Sequence, residues 1–191
     1  ISVDGRKDTH DAIRGKGCHD KIKKHANRPD LKIHVSMVIN KMNYQDIECF
    51  IEEWKDVGVK GCLFQMYTPI KGLKNDDLWP GWKLRDEILD KLLRLKDEKY
   101  GDFIGVPSLV LKLMKSDKCK EVTRNCIFRE VSFCLDPQGQ LKKPCMMGPQ
   151  ADCLRCGCML PFHMQVLEDK WLMARELFTS LRRKTGKKAL Q

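Results

Sequence analysis

Cysteine spacing constrains the fold of this chain more than any other feature of its sequence. Seven of the ten cysteines lie between Cys119 and Cys158, while Cys18, Cys49 and Cys62 are isolated. A chain of 191 residues with 32% charged residues is too long and too polar for a small domain held together by disulfides. Clustered cysteines in such a chain are typical of metal or iron–sulfur binding in a reducing compartment, so we expect a cytoplasmic metalloprotein.

The order of the clustered cysteines predicts a hairpin followed by a knuckle. The segment "REVSFCLDPQGQLKKPC" has two extended runs around a turn at 136–139, which would bring Cys126 and Cys145 to neighbouring strand ends. The later Cys153-x-x-Cys156 pair can direct two sulfurs at one centre. Four thiolates suit tetrahedral zinc and a [4Fe–4S] cluster equally, and the spacing does not choose between them. The predicted ligands are Cys126, Cys145, Cys153 and Cys156, with Cys134, Cys158, Cys119 and His163 as further candidates.

The first hundred residues alternate strand and helix patterns. "LKIHVSMVIN" predicts a strand, because apolar residues occupy every second position. Its other face carries His34, Ser36 and Asn40, and so polar a face suits a barrel whose interior holds a polar ligand. "NYQDIECFIEEWKDVG" predicts a helix with Asn43 as N-cap and Gly58 as its end. The apolar positions are Leu31, Ile33, Val35, Met37 and Ile39 in the strand, and Ile47, Phe50, Ile51 and Trp54 in the helix.

Two further segments extend this alternation. "VKGCLFQMY" predicts a second strand, and "ISVDG" predicts the end of another, whose crossover helix lies around "GKGCHDKIKKHA". Strand, helix and strand in this order are typical of right-handed βαβ units with parallel strands, so we predict an α/β fold with three βα units. Because the chain opens inside a strand pattern and without Met, we expect it to be a piece of a longer protein.

Two amphipathic helices are predicted later in the chain. The first follows the loop "GLKNDDLWPGW" and carries an apolar stripe. The second, "MQVLEDKWLMARELFTSLRR", is predicted to be one unbroken helix with an apolar inner face. The stripe of the first is Leu84, Ile88, Leu92 and Leu95, and the inner face of the second is Leu167, Trp171, Ala174, Phe178 and Leu181. We therefore divide the chain into an α/β region, 1–100, and a cysteine-rich extension, 118–191.

The net charge of +10 raises the question of a nucleic-acid partner. The final segment "LRRKTGKKALQ" contributes five of the basic residues and no acidic one, whereas basic and acidic residues are interspersed elsewhere. Aromatic residues interleaved with basic ones, which would stack on bases, are missing, so nucleic-acid binding is not expected. No apolar run approaches the ~20 residues that a membrane-spanning helix needs, so no membrane span is expected either.

Several segments resemble, in chain order, parts of radical S-adenosylmethionine (SAM) enzymes. "SVDGRKDTHDAIRG" is similar to their fourth-strand motif, "VSMVINKMN" to their fifth strand and "VGVKGCLFQMYTPIKG" to their sixth. The hairpin and knuckle resemble the auxiliary-cluster extension of the SPASM/Twitch type, in which four residues separate the glycine from the next cysteine. Here five residues separate Gly139 from Cys145.

This resemblance implies the last three βα units of a (β/α)6 barrel plus a small hairpin-and-helix extension. It also implies one auxiliary [4Fe–4S] cluster and an electron donor such as ferredoxin or flavodoxin. Family enzymes hold SAM and a catalytic [4Fe–4S] cluster with a CxxxCxxC motif, which this chain lacks, so the chain alone is expected to be inactive. The implied SAM contacts are Ser2, Asp4, Ser36 and Asn40, with the sixth-strand backbone at Gly61, Cys62, Leu63 and Phe64.

Two functional interpretations therefore stand side by side. The first is part of a radical SAM oxidoreductase or transferase whose substrate the sequence does not name. The second is a zinc-knuckle binding module that contacts nucleic acid through its basic tail. The identity of the bound metal distinguishes them.

Overall fold

A parallel two-stranded sheet lies at the centre of the first hundred residues in the computed structural model, which describes residues 1–28, 30–73 and 76–188. Strand β1 is His34–Ile39 and strand β2 is Gly61–Met66, paired so that Ser36 lies opposite Leu63. Single parallel bridges extend the sheet on both sides, from Ser2 to β1 and from Ile104 to β2. The predicted α/β class is confirmed at this level, while the barrel interpretation stays a prediction.

Helices make up most of the remaining described structure. The α-helices, in chain order, are α1 (Lys7–Arg14), α2 (Cys18–Ala26), α3 (Ile47–Val57), α4 (Gly81–Leu95), α5 (Ser108–Leu113), α6 (Ser116–Arg124), α7 (Ile127–Val131), α8 (Leu160–Glu168) and α9 (Lys170–Lys188). Short 3₁₀ helices are Tyr44–Asp46, Gly101–Phe103 and Cys153–Arg155, and a π-helical turn, Lys96–Tyr100, continues α4. No helix in these described ranges is both long enough and apolar enough to cross a bilayer.

The predicted strand "ISVDG" is reduced to a short paired stretch. The Val3 N–H donates to the Ser36 carbonyl at 2.8 Å, and the Ser36 N–H donates to the Ile1 carbonyl at 2.8 Å. Pairing stops at Asp4 because its carboxylate, rather than its backbone, accepts the Val38 N–H at 3.0 Å. The predicted third strand is therefore only partly formed.

The β1–α3 unit largely follows its sequence pattern. Val35, Met37 and Ile39 are fully buried, but Leu31 precedes the strand and is 46% exposed. The predicted stripe of α3 is completely buried, and Gly58 ends this helix in the left-handed region, with φ of +89°.

Asn43 is the N-cap residue of the 3₁₀ turn that leads into α3, so its predicted position is right, but the side-chain cap is not formed. Its side chain makes no capping bond; it instead accepts the Asn40 N–H at 2.8 Å and donates to the Val38 carbonyl at 3.0 Å. A 3₁₀ turn, Tyr44–Asp46, intervenes before α3 begins. Asn43 therefore ties the loop to the end of β1.

Helix α4 buries three of the four residues of its predicted stripe, Ile88, Leu92 and Leu95, and two further residues beside them. Leu84 is only half-buried, whereas Leu89 and Arg85 are fully buried. The inner face therefore includes Arg85, Ile88, Leu89 and Leu92, which recur at helical spacing.

The C-terminal helix is broken, and its predicted inner face is wrong. Asp169 has an extended backbone, and its carboxylate caps α9 by accepting the N–H groups of Trp171 and Leu172. This break turns α9 so that Leu172 packs against the core and Glu176 accepts the N–H groups at the start of α5. The side chains left exposed are Leu167 at 52%, Trp171 at 82%, Phe178 at 69% and Leu181 at 58%.

One hydrophobic core spans both predicted regions. It contains Val3 and the inner faces of the sheet and α3, and it continues through Val110 and Met114 to Phe162 and Val166 of α8. The cysteine-rich extension therefore packs directly on the α/β region through α5 and α8. The basic side chains from position 182 onwards, which the sequence offered as a nucleic-acid contact, lie outside the described side chains.

Candidate metal centre

Five cysteines line one small cavity between the start of α7 and the start of α8. They include all four predicted ligands, and Cys158 joins them. Thr123, Phe128, Met147 and Pro161 complete much of the wall. We call this site the cysteine cavity; its cysteines are Cys126, Cys145, Cys153, Cys156 and Cys158.

Helix starts and tight turns position these cysteines. Cys126 is the residue before α7, and Cys153 begins a 3₁₀ turn whose first N–H groups are capped by Asp152. The Asp152 carboxylate accepts the Leu154 N–H at 3.1 Å and pairs with Arg155 at 2.7 Å. The knuckle predicted from the Cys153-x-x-Cys156 spacing is therefore a capped turn with a defined shape.

The predicted hairpin is shorter than its sequence suggested. Residues 127–131 form α7 instead of a strand, and a single antiparallel bridge joins Leu135 to Leu141. The turn at 136–139 does form, because the Asp136 carboxylate accepts the N–H groups of Gln138 and Gln140, and Gly139 has φ of +76°. The turn still brings Cys145 back to the cavity that contains Cys126.

Backbone hydrogen bonds attach the cysteine-rich segment to the end of β2. The Met66 N–H donates to the Gly157 carbonyl at 2.9 Å, and the Gly157 N–H donates to the Thr68 hydroxyl at 2.8 Å. An antiparallel bridge between Ile70 and Ala151 continues the attachment. A Cβ at position 157 would overlap the Met66 carbonyl oxygen, so only glycine fits here.

This attachment places the cysteine-rich segment beside the carboxyl ends of the parallel strands. Ligands of parallel α/β sheets bind outside the carboxyl ends of the strands. Asp4, Asn40 and Thr68 all lie at or just beyond those ends, and Thr68 directly holds Gly157 of the cysteine-rich segment.

The thiols of the cavity are close enough to influence one another's ionisation. Burial, and to a smaller extent negative charge on the neighbouring Cys158, Cys119 and Cys126, raises the pKa of Cys156 to about 12. Burial also raises the pKa of Cys126 and Cys158, and each pKa is raised further by charge on Cys145. Without a cation these thiols are therefore protonated, and a metal would replace their protons.

The structure separates the further candidates from the cavity. The Cys134 carbonyl accepts the Lys142 N–H in the hairpin, but Cys134 does not line the cavity. Cys119 on α6 lies beside the cavity: its thiol is 3.6 Å from the Cys156 carbonyl oxygen. His163 is half-buried on α8 and does not line the cavity. Of the three isolated cysteines, Cys62 is buried in the core of the sheet as a packing residue, Cys18 is half-buried and Cys49 is exposed.

Arg85 is a site residue that the sequence interpretation missed. Its guanidinium is fully buried and donates to the Cys156 carbonyl at 2.9 Å and to the Cys119 sulfur at 3.5 Å. The signal was available, since Arg85 lies one turn before Ile88 and Leu89 on the buried stripe of α4. A charged residue on such a stripe indicates a buried polar site.

The residues expected to contact SAM divide between the two faces of the sheet. Ser2 is exposed and Ser36 and Leu63 are half-buried; the register places them together on one face. We call it the open face. Cys62 and Phe64 point into the core, with 0% and 1% exposure, so only their backbone could meet a ligand on the open face. Gly61 is confined by the Phe103 carbonyl and His34.

Asp4 and Asn40 are buried and already bonded within the chain. One Asp4 oxygen accepts Arg14 Nε at 2.6 Å and the other accepts the Val38 N–H, while the Asp4 N–H donates to His10 Nδ1. Asn40 Oδ1 accepts the Met42 N–H at 2.8 Å. Asp4 therefore supports the strand end from within, which differs from the direct SAM contact that the resemblance implied for its carboxylate.

The donor set of the cysteine cavity suits a thiophilic centre. In the described ranges, all ten cysteines are free thiols, and no three His, Cys, Asp or Glu side chains are arranged around a single ion. Thiolates select zinc, copper(I) and iron–sulfur clusters among biological centres, and the cavity offers five sulfurs. These residues suit a thiolate-bound group by the chemistry of their donors, and they line one cavity.

Comparison with protein-family models, curated proteins and solved structures gives no match to this chain. Its function is therefore argued from its own residues.

Proposed function

We propose that this chain is part of a radical SAM enzyme and that it binds one auxiliary [4Fe–4S] cluster. The residues of the chain do not identify the substrate on which the enzyme acts. The single observation that carries the proposal is the convergence of Cys126, Cys145, Cys153 and Cys156 on one cavity at the carboxyl end of a parallel sheet. The order of sequence motifs supports it independently, since the strand motifs and the cysteine motif occur in the order that the family uses.

Four thiolates would hold the cluster. Cys126 and Cys145 lie at the two ends of the short hairpin segment, and Cys153 and Cys156 belong to the knuckle. Cys158, the fifth cavity cysteine, lies two residues beyond Cys156 and is the alternative to it. A cluster with four thiolate ligands supplies electron transfer rather than a binding position for substrate, because no iron remains open. Ferredoxin or flavodoxin is the corresponding class of electron donor.

The surroundings of the cavity favour such a centre in two ways. Its wall includes the apolar side chains of Phe128, Met147 and Pro161 beside the sulfurs. Hydrogen bonds from the end of β2 fix Gly157 between Cys156 and Cys158, so the knuckle is held independently of any metal. A ligand set that is held in place before binding lowers the reorganisation that binding requires.

The open face of the sheet is the proposed SAM side. Ser36 and the backbone at Leu63 are the contacts available there, with Asn40 at the strand end, whereas Gly61 is buried. Asp4 acts by fixing the strand ends through Arg14 and Val38. A polar and partly enclosed face at this edge suits a cofactor that must be shielded from bulk water.

Zinc is the second candidate occupant, because the Asp152-capped turn at Cys153–Arg155 is also a suitable zinc knuckle. Metal analysis separates the two. The chain is purified anaerobically, supplied with ferrous and ferric iron in equal parts, with sulfide and with zinc, and desalted. We expect about four irons and four sulfides per chain and the broad visible absorption of an iron–sulfur cluster. Stoichiometric zinc without iron, or no retained metal, contradicts the proposal.

A further inference from the structure

Arg85 places a positive charge beside the cysteine cavity with no exposed surface. Its Nε donates to the Met114 carbonyl at 3.0 Å, and its two terminal nitrogens donate to the carbonyls of Arg155 and Cys156 at 3.4 and 2.9 Å. One terminal nitrogen also lies 3.5 Å from the Cys119 sulfur. The guanidinium therefore contacts the backbone of the knuckle at Arg155 and Cys156.

No carboxylate among the described residues forms an ion pair with Arg85. The nearest acidic neighbour in sequence, Asp86, directs its carboxylate to the N–H and hydroxyl of Ser116. A buried charge is expensive unless it is paired, and arginine stays protonated in proteins. The hydrogen-bond partners of Arg85 are neutral carbonyl groups and a thiol, so no anion in the described part of the chain contacts its guanidinium.

Two tryptophans and two more basic residues surround this buried cation. The Arg85 guanidinium lies 5.2 Å from the ring centroid of Trp82 and 5.9 Å from that of Trp79. Arg155 stacks on Trp79 at 5.6 Å, and Lys120 lies 5.7 Å from the Trp82 ring. The aromatic faces attract cations, so they concentrate positive charge beside the cysteine-rich segment.

We infer that Arg85 is the buried counter-ion of the iron–sulfur cluster held by the cysteine cavity, and that it makes the cluster easier to reduce. This inference rests on the proposed function. A [4Fe–4S] core with four thiolates carries net negative charge, which supplies the anion that Arg85 lacks. Net charge and hydrogen bonds near the sulfurs are established determinants of cluster potential.

The direction of the effect follows from charge. In the one-electron step, dithionite supplies an electron to the [4Fe–4S]²⁺ core, which becomes [4Fe–4S]⁺ and gains one negative charge. A fixed cation nearby stabilises the more negative state, and it does so strongly where water is excluded. Arg85 therefore raises the midpoint potential, and its loss should lower it.

The test compares Arg85→Gln, which removes the charge, with Arg85→Lys, which keeps it. Arg94→Gln is the matched control, because Arg94 is exposed on the same helix. Each reconstituted chain is titrated with dithionite, and the reduced fraction is followed by electron paramagnetic resonance. Iron content and circular dichroism are measured on the same samples. At a fixed potential, Arg85→Gln should lower the reduced-to-oxidised ratio by at least about tenfold, which is about 59 mV for one electron.

The outcomes distinguish an effect of the Arg85 charge from a purely structural role of its hydrogen bonds. Arg85→Lys should retain most of the original potential, because the ammonium keeps the charge while losing the planar fork. Loss of iron in Arg85→Gln but not in Arg85→Lys also supports the counter-ion. The inference is overturned if Arg85→Gln binds as much iron as Arg94→Gln and has the same midpoint potential. It is also overturned if Arg85→Gln and Arg85→Lys change the midpoint potential, or the iron content, by the same amount. If the unsubstituted chain holds no iron, the proposed function fails first and this inference with it.

Discussion

Gly157 contacts the end of β2 so closely that its Cα leaves no room for a side chain beside the Met66 carbonyl oxygen. The same pair shares the 2.9 Å hydrogen bond from the Met66 N–H to the Gly157 carbonyl. This contact fixes the position of the knuckle relative to the sheet. It therefore connects the cysteine cavity to the region where a cofactor would bind.

Gly157→Ala should weaken this junction. The added methyl group must push the knuckle away from β2, and overpacking of this kind lowers the free energy of unfolding by about 1–3 kcal/mol. Urea unfolding followed by tryptophan fluorescence measures the change. Gln150→Ala is the control, because the Gln150 side chain is exposed and its backbone carbonyl still accepts the Lys71 N–H. An equal free energy of unfolding in the two variants would show that the junction accommodates the methyl group without strain.

Arg14→Met should destabilise the strand ends. It removes the 2.6 Å hydrogen bond to Asp4, whose side chain is only 5% exposed and which also holds the Val38 N–H. A charged hydrogen bond of this kind contributes about 1.5–3 kcal/mol to the free energy of unfolding. Arg28→Met is the control, because the Arg28–Asp30 pair is exposed on both sides and should not affect stability measurably. A loss in the control as large as in Arg14→Met would contradict the assigned role of Asp4.

His10 should make stability depend on pH. Burial lowers the pKa of the His10 imidazole below its usual 6.5, and His19 nearby lowers it further. Since the unfolded chain then binds this proton more tightly than the folded chain, the stabilisation is complete above about pH 6.5 and is lost as the pH falls below it.

The His10 prediction is checked by urea unfolding at several pH values. His10→Asn should flatten the dependence, because the amide oxygen can still accept the Asp4 N–H but does not titrate. His25→Gln, on the exposed surface of α2, should leave the slope unchanged. An unchanged slope in His10→Asn would assign the pH dependence to another group.

Alkylation should distinguish the thiols by position. In the metal-free chain, exposed Cys49 should react with iodoacetamide first. Cys62 should react last, because burial raises its pKa to about 12 and also prevents the reagent from reaching the thiol. Iron loading should protect Cys126, Cys145 and Cys153 while leaving Cys49 reactive. Mass spectrometry of peptides gives the order. Cavity thiols that are labelled equally with and without iron would contradict their role as ligands.

The sequence predicts well where one local pattern determines the outcome. The buried stripe of α3 and the left-handed end of this helix at Gly58 follow from helical periodicity and from the conformational freedom of glycine. The alternation along β1 likewise predicts which side chains are buried. These features depend on neighbours in sequence, which a single chain contains in full.

Features set by tertiary contacts were missed. Asp169 interrupts the terminal helix because its carboxylate caps α9, and the resulting rotation exposes Trp171 and Phe178. Asn43 bonds to β1 instead of capping α3 because the strand end offers it the Val38 carbonyl. Periodicity alone cannot decide between such competing hydrogen-bond partners.

The candidate site was predictable in its members but not in its surroundings. Spacing selected four cysteines that do line one cavity, together with Cys158. It left Cys134 as a candidate, which the short hairpin keeps away from the cavity. Arg85 escaped notice because its role arises from a segment about 70 residues further along the chain, as its bond to Cys156 shows.

Iron retention in single-cysteine variants tests the central claim most directly. Cys145→Ala, Cys153→Ala and Cys18→Ala chains are reconstituted anaerobically in parallel, and the iron bound to each is measured after desalting. The claim predicts that the first two lose their iron while Cys18→Ala, whose thiol lies outside the cavity, retains as much as the unsubstituted chain. Equal iron in all three variants would contradict it.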